Sequence, residues 1–360
     1  MWCLAVVVLI LRLLATWING IEVEQVPCYF IFGDSLFDNG NNNDLPTKAK
    51  ANFPPYGIDF PGGQTGRFSN GRNMGDVIAE LLGFENHIPP FASARSEDIL
   101  KGVNYASGGA GIKDETARIN LGYVISMNKQ LQNHRVTTSR IESKFKNRET
   151  AKKYLKKCIY TVGMGNNDYI NNYFLPQFYP TSSLFTPEQY ATLLLRQYSR
   201  QLKTLYNLGA RKIALFGLGL IGCTPGSIAM YGASNGSVCV DFINIAVQIF
   251  NTKLVLLVDE LNKKLQDANF IYVNIFGISS TPAPGITVDS PCCEVGNLTE
   301  SNGALTCTPF GTTCPNRAEF IFWDATHPTE VANVALAGRS YIAKVPSDTY
   351  PIDIRRLAQL

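Results

Sequence analysis

Histidine is scarce in this chain: His87, His134 and His327 are the only three in 360 residues. A side chain that moves a proton near neutral pH therefore has few candidates. Charge of one sign is also lacking. Lys plus Arg total 32 against 29 Asp plus Glu, a formal net charge of +3, which gives no electrostatic footprint for nucleic acid. The densest basic stretch, Lys144 to Lys157, is broken by Glu149 and flanked by Glu142, the pattern of a solvated helix face. Repeats, low-complexity tracts and an obvious linker are missing. Beyond the N-terminus no stretch reads as long and apolar enough to span a bilayer, so no stable transmembrane segment is expected.

The N-terminal residues have a different character. Leu4 to Leu14 is apolar except for Arg12 and is followed by Ala15, Thr16 and a Gly20 suited to a cleavage site. These eleven residues fall short of the roughly 20 needed to cross a bilayer. Residues 1–20 are therefore expected to be a secretory signal peptide, with a membrane anchor as the competing reading, and residues 21–360 a single domain. Of nine cysteines, Cys3 leaves with the leader; Cys28, Cys158, Cys223, Cys239, Cys292, Cys293, Cys307 and Cys314 remain. An even count in an exported chain points to disulfides. Zinc at the last four is disfavoured, because vicinal cysteines do not match the paired C-x2-C knuckles of structural zinc sites. Two glycosylation sequons, at Asn235 and Asn297, fit the same route.

With 45% hydrophobic residues the chain can bury a large core. Short β-type runs at 28–32, 102–105, 158–162, 213–216 and 270–273 alternate with stretches of helical period. The clearest helix opens at Thr186-Pro187-Glu188, carries Tyr190, Leu193, Leu194, Tyr198, Leu202 and Leu205 on one side, and stops at Gly209. Further helices are expected over 241–266 and 328–341. Alternating strand and helix predicts a three-layer α/β/α fold with a central parallel sheet of about five strands.

Open parallel sheets bind ligands beyond the carboxyl ends of their strands. Gly33-Asp34-Ser35 follows the first run, Ser107-Gly108-Gly109-Ala110-Gly111 the second, and Gly163-Met164-Gly165-Asn166-Asn167-Asp168 the third. Ser35, Gly108 and Asn167 thus fall along one edge of the sheet. Serine is a weak nucleophile and needs a base, which needs a group to hold its tautomer. Asp324-Ala325-Thr326-His327 supplies both. The Ser35 and Gly108 backbone N–H groups and the Asn167 amide are candidate donors for an oxyanion.

Four segments carry a resemblance: 32–42 (FGDSLFDNGNN), 104–111 (NYASGGAG), 165–168 (GNND) and 324–328 (DATHP). Together they resemble the GDSL esterase/lipase family of the SGNH hydrolase superfamily, most closely its plant secreted branch. The resemblance implies a flavodoxin-like strand order, no cofactor and no metal, and a catalytic set of Ser35, Asp324 and His327 with Gly108 and Asn167 at the oxyanion. In the second block Gly108 and Gly109 both fit, and Gly108 is favoured. It further implies a monomeric, secreted enzyme of the cell wall or apoplast acting on a small-molecule, lipid or cell-wall ester. An acyltransferase using the same acyl-serine, or a non-catalytic extracellular binding protein, are the alternatives.

Other polar residues read as structural. Asp34, Asp38 and Asn39 to Asn43 suit turns, Asp168 suits ordering of the Asn167 loop, and Ser107 suits a turn. His87 and His134 are expected at the surface. Phe174, Phe178, Tyr179 and Phe185 either line an acyl cleft or simply cover the sheet. In the strand order 2-1-3-4-5, Cys28 and Cys158 start neighbouring strands about 4.8 Å apart, which predicts a Cys28–Cys158 bridge, buried free thiols being the alternative. Cys223–Cys239 would close the loop after the fourth strand. Cys292 and Cys293 would pair with Cys307 and Cys314 in an order left open.

Overall fold

A computed structural model describes residues 24–233, 237–281, 284–296 and 306–360. The expected leader and both sequons, at Asn235 and Asn297, lie outside these residues. Four short strands, β1 (Tyr29–Gly33), β2 (Ile159–Gly163), β3 (Lys212–Phe216) and β4 (Asn269–Val273), pair in parallel in that order. Two further strands, β5 (Thr287–Pro291) and β6 (Phe320–Phe322), make a separate parallel pair. A two-residue strand, β7 (Thr349–Tyr350), closes the main sheet antiparallel to β4.

The 102–105 run does lie beside β1, where the Ile31 N–H donates to Val103 O and the Tyr105 N–H to Ile31 O. It makes only bridge pairing, so the expected central sheet of about five strands is present with four parallel strands and β7 as its antiparallel edge. The spatial order of the five expected runs is as predicted.

Successive strand residues face opposite sides, and here both sides are buried, hence the near-continuous apolar runs. Phe30, Phe32, Tyr160, Val162, Ile213, Leu215 and Phe270 belong to one core. It is covered by helices α2 (Met127–Phe145), α3 (Pro187–Asn207) and α4 (Asp241–Lys264). Tyr29, Ile31, Ile159, Ala214 and Ile271 belong to the other. That face is covered by α1 (Met74–Leu81), α5 (Glu330–Tyr341) and α6 (Ile354–Gln359). α3 starts as its sequence dictates: Thr186 accepts the Gln189 N–H, the Gln189 side chain answers, and Pro187 takes the first position. Such a cap contributes on the order of 1 kcal/mol.

By length and composition α4, with 24 residues, is apolar enough to cross a membrane, which corrects the expectation that no later segment qualifies. Its Ile243, Val247, Phe250, Leu254 and Val258 are buried in the core, where it serves as the core helix of the sheet. Among the described residues there are four disulfides: Cys28–Cys158, Cys223–Cys239, Cys292–Cys314 and Cys293–Cys307. Register explains the first. Tyr29 pairs with Ile159, so the cysteines before them are level, 4.7 Å apart at Cα.

His87 is partly exposed beside Asp76. His134, by contrast, is not at the surface but wholly buried in α2, edge-on to Phe30 and Phe32 at 4.9 and 5.3 Å. Its Nδ1 lies 3.1 Å from Tyr105 Oη. Burial disfavours the imidazolium and pushes its pKa down to about 3. The folded value is thus depressed below the ordinary 6.5, so the unfolded chain takes up a proton first as pH falls. Stability from this group is complete above about 6.5 and is lost toward 3. Unfolding by denaturant from pH 7 to 4 should therefore show a shallower loss of stability in His134→Gln than in the parent. Equal slopes would mean that His134 is protonated without unfolding.

Candidate active site

The carboxyl end of β1 delivers Asp34 and Ser35 into a tight turn. Asp34 Oδ1 accepts the Leu36 N–H at 3.0 Å, and its carbonyl accepts the N–H groups of Phe37 and Asp38. Glycine is required where β1 and β2 end: a Cβ on Gly163 would meet Phe37 Cε2 at 2.4 Å, and one on Gly33 would meet Phe37 Cδ2 at 3.0 Å. The Phe37 ring packs there, beneath the turn, and fixes its height above the sheet.

Ser35 Oγ stands 2.7 Å from His327 Nε2. On the other side of the ring Nδ1 lies 2.7 Å from Asp324 Oδ2 and 2.9 Å from Oδ1. A carboxylate only accepts, so Nδ1 carries the hydrogen and Nε2 is left to accept from the serine hydroxyl. Asp324 is fully buried. Its Oδ1 also accepts the backbone N–H groups of Thr326 and His327 at 2.8 and 2.7 Å, while Tyr56 Oη donates to Oδ2 at 2.6 Å. The Phe68 ring packs on the imidazole with centroids 4.8 Å apart.

Asn167 sits just past β2, after Gly165 with φ +130°, a left-handed conformation that glycine adopts readily. Its Oδ1 accepts from Asn171 Nδ2 at 2.7 Å, and Asn171 Oδ1 accepts from Asn120 at 2.8 Å. That relay fixes which end of the Asn167 amide is the donor. Nδ2 bonds Ala110 O at 3.0 Å, leaving its second hydrogen for the cavity.

Gly108, expected as an oxyanion donor, is turned away: its N–H donates to Asp38 Oδ2 at 2.9 Å. It is glycine for space, since a Cβ there would meet Phe68 Cζ at 2.7 Å. The next residue, Gly109, with φ +79°, lines the cavity instead. Ser107 serves the turn, donating to Asn42 and accepting from the Ile125 N–H.

The surrounding polar residues form a buried scaffold. Asp38 also accepts the Gly40 and Asn41 N–H groups, and Asn41 donates to the carbonyls of Asn104 and Ala106. Asp168 accepts from Ile112, Lys113 and Thr116, pinning the second block against the third. Burial raises Asp34, Asp38 and Asp168 to about 6, against the pull of these donors.

Ser35, Gly109, Asn167 and His327 open onto a cavity of about 710 Å³, within the usual range for small-molecule sites. Its wall is mainly apolar, with Leu36, Leu220, Ile221, Ile275, Val331 and Leu336. Phe174, Phe178, Tyr179 and Phe185 are not part of that wall. Phe174 packs on Tyr169 and Tyr173, and the Tyr179 hydroxyl bonds the chain at Ile119 and Glu115. Phe174 and Phe185 pack against the core. Among the described residues no group of three His, Cys, Asp or Glu is arranged to hold a metal ion.

Known proteins resemble this chain along most of its length. The family model for GDSL-like Lipase/Acylhydrolase matches residues 29–339. Two Arabidopsis thaliana proteins named GDSL esterase/lipase are each 51% identical to the chain, covering 100% of it and 98% of their own length. A third of the same name and organism is 48% identical, covering 99% of both. A full-length likeness of this strength carries both the fold and the chemistry of its relatives: the chain belongs to the GDSL-like lipase/acylhydrolase family and is a carboxylic ester hydrolase.

Proposed function

We propose that the enzyme cleaves esters through an acyl-Ser35 intermediate, with His327 as general base and Asp324 holding its tautomer. The observation that carries this reading is the unbroken line from Ser35 Oγ through His327 to a buried Asp324, at 2.7 Å on each side of the ring. His327 takes the serine proton as Oγ attacks the ester carbonyl, then returns it to the departing alcohol. Water, deprotonated by the same imidazole, releases the acid. The negative charge that develops on the carbonyl oxygen is met by the Asn167 amide and by the backbone N–H groups of Ser35 and Gly109. Gly109 takes the place first given to Gly108, whose N–H is spent on Asp38.

The apolar wall of the cavity supports an ester whose acyl part is aliphatic, in preference to an acetylated sugar. Such a lipid or cutin-like ester suits an extracellular enzyme of the cell wall. Four disulfides support folding in an oxidising compartment, with residues 1–20 as leader and 21–360 as one hydrolase domain.

Ser35→Ala, one small turn residue for another, should keep the fold and lower turnover of p-nitrophenyl butyrate by at least about 10⁴-fold. Residual activity within tenfold of the parent would overturn the nucleophile. Asn167→Ala should reduce kcat by roughly 10²- to 10³-fold with KM nearly constant, because the amide meets the oxyanion only as it forms. A rise in KM alone would make Asn167 a substrate-binding residue.

A further inference from the structure

Nothing in the sequence marks Tyr56, yet its hydroxyl is the one side-chain donor besides His327 that reaches Asp324 among the described residues. Resting on the acyl-Ser35 reading, we infer that Tyr56 is a positioning residue of this enzyme, setting the orientation and charge of Asp324 through its hydroxyl and so the basicity of His327.

The geometry leaves the phenol one role. Tyr56 is buried, and its Oη accepts the Cys307 N–H at 3.1 Å. With that lone pair occupied, the hydroxyl hydrogen points to Asp324 Oδ2, 2.6 Å away. Burial and the nearby carboxylate push the phenol well above its ordinary range, so it stays a donor at every pH at which the enzyme works. Phe53 and Phe68 wedge the ring, edge-on at 5.3 and 6.0 Å.

The Cys293–Cys307 bridge closes a circuit around the pair. The Cys293 N–H donates to Trp323 O at 2.8 Å, one residue before Asp324, while Cys307 holds Tyr56. Both partners of the Tyr56–Asp324 bond are thus fixed to one disulfide. The bond completes the set of four donor groups that replace water around the carboxylate. Its O–H also partly neutralises the carboxylate at Oδ2, the oxygen nearest the imidazole Nδ1. Without it, more of that charge is available to stabilise an imidazolium, and the Asp324–His327 pair keeps its extra proton to higher pH. Among the described residues the titratable groups that face this pair are Tyr56, on Asp324, and Asp34, on His327. Asp34 belongs to the Ser35 turn and keeps its contacts when Tyr56 changes.

The experiment is a cycle of Tyr56→Phe, Asp324→Asn and the double variant, assayed with p-nitrophenyl butyrate from pH 5 to 9. Tyr56→Phe should lower kcat about tenfold, leave KM within about twofold, and move the acid limb of kcat/KM to higher pH. In the Asp324→Asn background, with no carboxylate left to hold, the same change should cost less than about twofold. An unmoved acid limb, or an equal loss in both backgrounds, would overturn the inference even if Tyr56→Phe is slow, since a loosened fold gives that pattern. Thermal midpoints identify such loosening. Failure of the acyl-serine reading is a separate result, seen in Ser35→Ala.

Discussion

A carboxylate deprived of water must find other donors, and Asp324 has none of its surface exposed. Taking an isolated charge out of water costs several kcal/mol even after the protein relaxes. The loop from Trp323 to Thr329 is shaped around that requirement. Two backbone N–H groups turn inward to Oδ1, the imidazole supplies a third donor and Tyr56 a fourth. The Trp323 N–H donates to His327 O at 2.7 Å and closes the turn. Because the carboxylate is satisfied from these sides at once, the imidazole has one orientation, and its free nitrogen is aimed at Ser35.

The same logic extends across the sheet edge. The ends of β1 and β2 place the serine turn and the asparagine turn side by side, and Phe37 under both glycines sets their height. Buried amides and carboxylates then tie the second block to its neighbours. Asp38 and Asn42 hold Gly108, Asp168 holds residues 112 to 116, and Asn171 orients Asn167. Every one of these groups bonds a backbone atom or another buried amide or hydroxyl, as the low-dielectric interior demands. The wall of the cavity that these turns border is mainly apolar.

Much of this was legible in the sequence because strand order and strand-end chemistry are written in local patterns. Apolar runs followed by glycine-containing polar turns located Ser35 and Asn167, and neighbouring parallel strands brought Cys28 level with Cys158. Other features are set only by tertiary packing. Gly108 and Gly109 are chemically alike, and only the folded chain shows that the Gly108 N–H is taken by Asp38. A two-residue strand such as β7 carries no periodic signal. Tyr56 reaches Asp324 across a separation of 268 residues, which no local pattern encodes. His134 is different, since Met127, Leu131, Thr138 and Ile141 share its buried face at helical spacing, a stripe that could have been read. Likewise Asn171 lies four residues after Asn167, the separation at which side chains on a turn of helix meet.

The account depends on Ser35 being the atom that attacks the ester. A p-nitrophenyl alkylphosphonate reacts at phosphorus as an ester does at carbon, and water does not readily remove the product. Treating the parent enzyme with one equivalent, following loss of esterase activity, and mapping the adduct by peptide mass spectrometry tests the claim most directly. The account predicts inactivation in proportion to a single adduct on Ser35, and no labelling of Ser35→Ala or of His327→Ala at the same rate. Inactivation with the adduct on another residue, or full activity with Ser35 modified, would contradict it.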